Sequence, residues 1–222
     1  MNSISYLALA ISPGIALVIY IYLVLMNNKN FGWLLIKSFI AGALSSSLMI
    51  LVVYLTKRTG LDIFSDLINT LIYSFFVVGF CAELGKYIVL KGFILSNPEV
   101  TTPVKGIIFS VMTSLGFSTI IAILFYFNLF DANPPYPANM YILLVGPSNI
   151  VFGVILGFFL GMLKFVESRW IYNFAGLVSA SFFAGLFCFC LITKDYKLLS
   201  LFSFGSSIVV MVLIMRSIYF RP

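Results

Sequence analysis

Apolar residues run in stretches of about twenty along this chain, separated by short polar connections, and the pattern repeats seven times. The stretches lie at Ile4–Met26, Trp33–Leu55, Leu71–Leu95, Val104–Phe127, Tyr141–Phe165, Ile171–Ile192 and Leu198–Tyr219. Each is close to the roughly 20 residues a helix needs to cross a hydrocarbon layer. Backbone amides find no water at that depth, so segments of this length satisfy their hydrogen bonds as helices. The predicted fold is all-α, a polytopic transmembrane helical bundle of about seven spans. The connections are too short to fold separately, so 1–222 reads as a single integral membrane domain. Ile4–Met26 has no basic segment before it and outruns a signal peptide, which makes it a helix of the mature protein. Leu61–Thr70 carries Asp62 and Asp66 among Ile63, Phe64, Leu67 and Ile68, and is expected to be an interfacial amphipathic turn.

Composition excludes a soluble domain: 62% of residues are hydrophobic and 9% charged, with mean hydropathy +1.13, where soluble chains carry about a quarter charged. Basic residues then orient the bundle. With seven spans, Lys57, Arg58, Lys194 and Lys197 share one side, with the uncharged-proline loop Asn133–Pro137. Lys29, Lys37, Lys91, Lys105, Lys164, Arg169, Arg216 and Arg221 share the other. Excess Lys and Arg mark the cytoplasmic side, which puts the N-terminus outside and the C-terminus inside. The net charge of +6 is accounted for by this bias and by anionic lipid, with no nucleic acid among the expected partners. Cys81, Cys188 and Cys190 lack metal-ligand spacing and read as small apolar residues.

Chemistry enters with two charges in mid-span. Glu83 and Lys86 lie three apart within Leu71–Leu95, on one helix face. An ionisable side chain in hydrocarbon costs roughly 2.5–3.5 kcal/mol on insertion scales, so it is rare and usually functional. Helix rise places other polar groups and breaks at the same level: Glu83, Thr119, Asn149 and Pro13 all fall roughly 18–24 Å above the cytoplasmic ends. Pro13 and Pro147 each free a backbone carbonyl in mid-membrane, which survives only if protein or trapped water satisfies it. The expected result is a small polar cavity bordered by the first, third, fourth and fifth spans, with Ser12, Pro13, Ser118, Thr119, Pro147 and Ser148 around it. Each feature alone has a plainer reading. Pro and Gly are common in transmembrane helices, Ser and Thr bond to their own helix, and Gly153, Gly157 and Gly161 allow close packing.

With these segments in place, the chain resembles the PrsW family of intramembrane peptidases, within the group that includes the CAAX prenyl proteases. Ser12-Pro13-Gly14-Ile15-Ala16-Leu17 is similar to that family's first helix. Ala82-Glu83-Leu84-Gly85-Lys86 matches its Glu-Glu-x-x-Lys box at the second Glu and the Lys. Lys105–Ile108 with Ser114–Thr119, and Gly153–Phe158, resemble two further stretches. The resemblance covers about 12–161 and leaves 171–219 as two extra C-terminal spans. It implies an integral protein of the bacterial cytoplasmic (inner) membrane. The departures fall on the chemistry. Ala82 stands for the first Glu, Ile121 for the carboxylate of the Phe-x-x-x-Glu box, Asn149 for a helix-borne histidine, and Gly153 for the acid four residues on.

The whole chain contains no histidine, and zinc needs about three protein ligands even in an open catalytic site. No metal and no cofactor are therefore expected. The leading expectation is a pseudopeptidase that binds or scaffolds another membrane protein or transmembrane segment, in the lipid bilayer. The alternative is a metal-independent peptidase with Glu83 as general base, Asn149 as oxyanion donor and Lys86 as acid. A small transporter, marked by a mid-membrane Glu beside broken helices, comes third.

Overall fold

The structure is a computed structural model that describes residues 29–59, 64, 66–127 and 138–220. Six helices in these residues are long and apolar enough to cross a membrane. Helix α1 spans Lys29–Thr59. Helix α2 is built in three parts: Leu67–Ile72, a π-helical stretch Tyr73–Phe80, and Cys81–Ser96. Helices α3 to α6 follow at Pro103–Tyr126, Ala138–Met162, Arg169–Ile192 and Tyr196–Tyr219. No strand occurs among the described residues. The expected span Ile4–Met26, with Ser12, Pro13 and Gly14, lies outside them, as does the loop Asn133–Pro137.

The other six spans coincide with α1 to α6 to within a few residues. Of the expected lead-in Leu61–Thr70, the part Leu67–Thr70 forms the first turn of α2, continuous with the span it leads into. Asp66 is its N-cap residue, and the Thr70 hydroxyl donates to the Asp66 carbonyl at 3.0 Å. The Asp66 side chain makes no capping bond, and the helix runs on through Leu71 and Ile72 into the π-helical stretch. At the other connections, local chemistry starts the helices. Thr102 accepts from the Lys105 amide with Pro103 at the first helical position, and Asp195 accepts from the amides of Lys197 and Leu198.

Helix α3 is the axis of the bundle, with 72% of its membrane window buried. It is gripped from two sides by backbone contacts that only glycine permits. A Cβ on Gly42 of α1 would lie 1.9 Å from the Thr113 carbonyl oxygen, and one on Gly116 would lie 1.9 Å from that of Phe39. On its α4 side, a Cβ on Gly157 would meet Ser110 at 2.5 Å and one on Gly161 the Pro103 oxygen at 2.8 Å. In lipid, where neighbouring helices gain little from hydrophobic exclusion, such close backbone approach supplies the packing energy. Two buried apolar clusters result. One surrounds Phe109, Met112 and Leu156, and the other Phe117, Ile121 and Phe187.

Candidate functional site

Helix α2 enters the bundle through the π-helical stretch Tyr73–Phe80 and delivers Glu83 and Lys86 one turn later. Wider winding of this kind appears mostly at functional positions of otherwise α-helical segments. Close approach on both flanks holds the turn in place. A Cβ on Gly79 would lie 2.6 Å from the Ser181 oxygen of α5, and one on Gly85 would lie 2.8 Å from the Ser45 oxygen of α1. Glu83 and Lys86 are therefore sealed, each with no exposure at all.

They face each other and a third group. The Lys86 ammonium donates to Glu83 Oε1 at 2.6 Å and to Asn149 Oδ1 at 2.9 Å. Asn149 in turn donates through Nδ2 to the Val145 carbonyl at 2.8 Å, which fixes its amide. The remaining side of the ammonium is covered by rings: Phe117 at 4.9 Å and Phe152 at 5.8 Å from Nζ to centroid. A cation without water is well served by such faces. The triad closes a contact between α2 and α4. In an interior where both charges have lost their hydration, the short bond, the amide and the two rings act against the desolvation cost.

Beside the triad lies a cavity of about 20 Å³, lined among others by Ala82, Glu83, Tyr141, Asn149, Phe152, Phe187 and Cys188. Its walls come from α1 to α5, with Met49 supplied by α1. Ser118 and Thr119 do not line it. Both hydroxyls turn back to the Leu115 carbonyl, at 3.1 and 2.8 Å. Pro147 and Ser148 open instead onto a separate lateral groove of about 530 Å³ between α4 and α6. Ser148 donates to the Val145 carbonyl at 3.2 Å. Of the residues read from the sequence, the structure thus joins Glu83, Lys86 and Asn149, and sets Ser118, Thr119, Pro147 and Ser148 apart from them. Four lining residues had no signal in the sequence: Tyr141, Phe152, Phe187 and Cys188 are ordinary apolar-span residues until folding brings them together.

The lateral groove and the cavity share a wall. Phe152 and Phe187 line both, with ring centroids 6.0 Å apart in an edge-to-face pair. On the groove side, α6 contributes Ser200, Ser203, Ser206 and Ser207. Each hydroxyl is bonded to a carbonyl of its own helix, so the serines act as small contact positions.

The site does not fit a metal. No cluster of three or more His, Cys, Asp or Glu exists among the described residues. The one carboxylate has its Oε1 taken by an ammonium, and the same ammonium holds the Asn149 oxygen. A cation placed there would stand against Lys86. The residue at the expected acid position is closed off as well: a Cβ on Gly153 would lie 2.7 Å from Ser114 Oγ and 3.1 Å from the Val111 Cα. Helices α3 and α4 have approached so closely that a side chain at that point would require them to shift.

Comparison with known proteins places this arrangement. A family model described as PrsW family intramembrane metalloprotease matches residues 31–218, a range that includes α5 and α6. Protease PrsW of Halalkalibacterium halodurans is 32% identical over 165 residues, covering 74% of this chain and 73% of that protein. Protease PrsW of Geobacillus kaustophilus is 27% identical over 192 residues, covering 86% of this chain and 81% of that protein. Protease PrsW of Oceanobacillus iheyensis is 30% identical over 161 residues, 72% of this chain and 70% of that protein. No solved structure matches.

Proposed function

For a chain that belongs to the PrsW family of intramembrane proteases, we propose a non-catalytic role: a pseudopeptidase that binds a transmembrane segment of another membrane protein. The observation that carries this reading is the closed Glu83–Lys86–Asn149 triad. Peptide hydrolysis needs a base that touches water and substrate together. Here the carboxylate is fully buried, its Oε1 is neutralised, and the adjoining cavity is too small for a peptide bond. The groove between α4 and α6 has the opposite character, being large, open and mainly apolar. It offers small serine positions at the spacing that lets a second helix approach.

In this reading the N-terminus lies outside and the C-terminus in the cytoplasm of a bacterial inner membrane. The protein retains the fold's ability to receive a helix and omits the groups that cut it. Glu83 and Lys86 contribute specificity of packing between α2 and α4 more than affinity for anything bound.

One observation favours the second reading, a metal-independent peptidase using Glu83 as base. The Oε2 atom of Glu83 is buried without a hydrogen-bond partner among the described residues, which is where an activated water would sit. The two readings separate in a reconstituted assay. Purified protein in liposomes is expected to leave a panel of tethered transmembrane substrates intact. Photo-crosslinkers at Ser203 and Ser207 are expected to capture a defined membrane protein, while one at Leu201, exposed on another face of α6, captures none. Cleavage that is lost in Glu83→Gln would overturn the proposal in favour of the peptidase.

A further inference from the structure

The three hydrogens of the Lys86 ammonium are accounted for. One goes to Glu83 Oε1, one to Asn149 Oδ1, and the remaining side faces the Phe117 ring. One hydrogen of the Asn149 amide goes to Val145. What is left over in the triad is Glu83 Oε2, fully buried, with no hydrogen-bond partner among the described residues. A carboxylate oxygen in that state costs the desolvation of the group with nothing in return. It borders the cavity of about 20 Å³. A water needs roughly 10–15 Å³ of such space and two to four polar partners. Besides Glu83, the polar residue Asn149 lines it, together with Tyr141 and Cys188.

We propose that this cavity is a binding site for a single water molecule, held by Glu83 Oε2. Ala82 makes the room. It is 4% exposed and lines the cavity. The short side chain leaves a polar hollow next to Glu83. Water fills it and completes the acceptor's hydrogen bonding. The triad is then a satisfied four-member network, ammonium, carboxylate, amide and water, and this is what lets an ion pair persist at full burial. The inference does not rest on the non-catalytic reading, since a peptidase using Glu83 as base would hold the same water.

A structure of the full chain in lipid nanodiscs, at a resolution that shows ordered solvent, tests this directly. The expected result is one solvent peak within hydrogen-bond distance of Glu83 Oε2. Oε2 found bonded to a protein group with no solvent peak in the cavity would overturn it. Two variants give an independent reading in detergent. Ala82→Val fills the hollow with apolar atoms, expels the water and leaves Oε2 bare, so the thermal midpoint falls by about 3–8 °C. Ala82→Ser places a hydroxyl there and holds the midpoint within about 2 °C. A raised midpoint in Ala82→Val marks a dry void that gained from filling, and overturns the site. Should Ala82→Val fail to accumulate, the structure decides alone. The presence of the water is read in both cases without reference to cleavage.

Discussion

The buried triad and the lateral groove stand one aromatic layer apart and divide between them what a working intramembrane protease must combine. The triad has charge, directed hydrogen bonds and no access. The groove has access and about 530 Å³ of space, but every serine hydroxyl in it is bonded to its own helix. Phe152 and Phe187 stand between them. The same division shows in whole helices: 72% of the membrane window of α3 is buried against 11% of that of α6. On the proposed reading, chemistry and admission of a helix are separate properties of this bundle.

The comparison breaks most readily at the charges. Lys86→Met leaves the Glu83 carboxylate buried beside an apolar chain, and removal of one partner of a buried pair costs about 3–5 kcal/mol. Thermal unfolding in detergent is expected to fall by roughly 6–20 °C. Replacing both, as Glu83→Leu with Lys86→Met, is expected to recover most of that loss, because well-packed apolar substitutes for a buried pair are often neutral. An unchanged midpoint in the single variant would mean that the pair reaches bulk water, and the closed site would be lost as a description.

The wall comes next. Phe152→Ala removes a ring that is 3% exposed, covers Lys86 and meets Phe187. Truncation of a buried Phe costs about 3–5 kcal/mol, less where the site collapses. Its diagnostic effect is access. In a background with Cys81→Ser and Cys190→Ala, Cys188 lines the cavity at 1% exposure, and a membrane-permeant thiol reagent is expected to label it only in the Phe152→Ala protein. Equal labelling with and without Phe152 would show that the groove and cavity already communicate.

How much of this was legible in the sequence depends on length scale. Span positions were legible because twenty consecutive apolar residues leave the backbone one choice in lipid. The proximity of Glu83, Lys86 and Asn149 was legible through helix rise alone, since counting residues fixes depth. Rotation was not. Thr119 lies at the right depth but its hydroxyl returns to Leu115, and Pro147 faces the groove. The segment before Leu71 was legible as a lead-in to the span, and Leu67–Thr70 joins α2 directly behind Asp66. The ring wall had no signal at all: Phe152 and Phe187 are two of 24 phenylalanines, and only the fold singles them out.

A third test asks whether the closure between α3 and α4 is fixed. Gly153→Ala puts a methyl 2.7 Å from Ser114 Oγ and 3.1 Å from the Val111 backbone. The hydroxyl can rotate aside, but the Cα cannot, so the helices must separate slightly. Overpacking of this kind costs about 1–3 kcal/mol. Thermal midpoints of Gly153→Ala and of Ser114→Ala with Gly153→Ala are the measurement. The double variant removes the hydroxyl from the clash and is expected to recover part of the loss. A Gly153→Ala protein as stable as the parent would mean that α3 and α4 part easily, and that the acid position is open to a side chain after all.

The smallest effect on stability belongs to the groove, and it is the most informative about partners. Ser203 and Ser207 are exposed on α6 with their hydroxyls bonded to their own helix. Ser203→Leu with Ser207→Leu enlarges two small positions that face outward, so folding is expected to change by no more than about 0.5 kcal/mol. Close approach of a second helix depends on small residues at this spacing, so crosslinking of the partner segment is expected to fall sharply while the midpoint stays put. Lys86→Met and this double variant therefore have opposite signatures: one lowers stability with the groove intact, the other lowers binding with the core intact. If crosslinking survives the leucines, binding lies on another face, and the groove is a lipid-filled gap between helices.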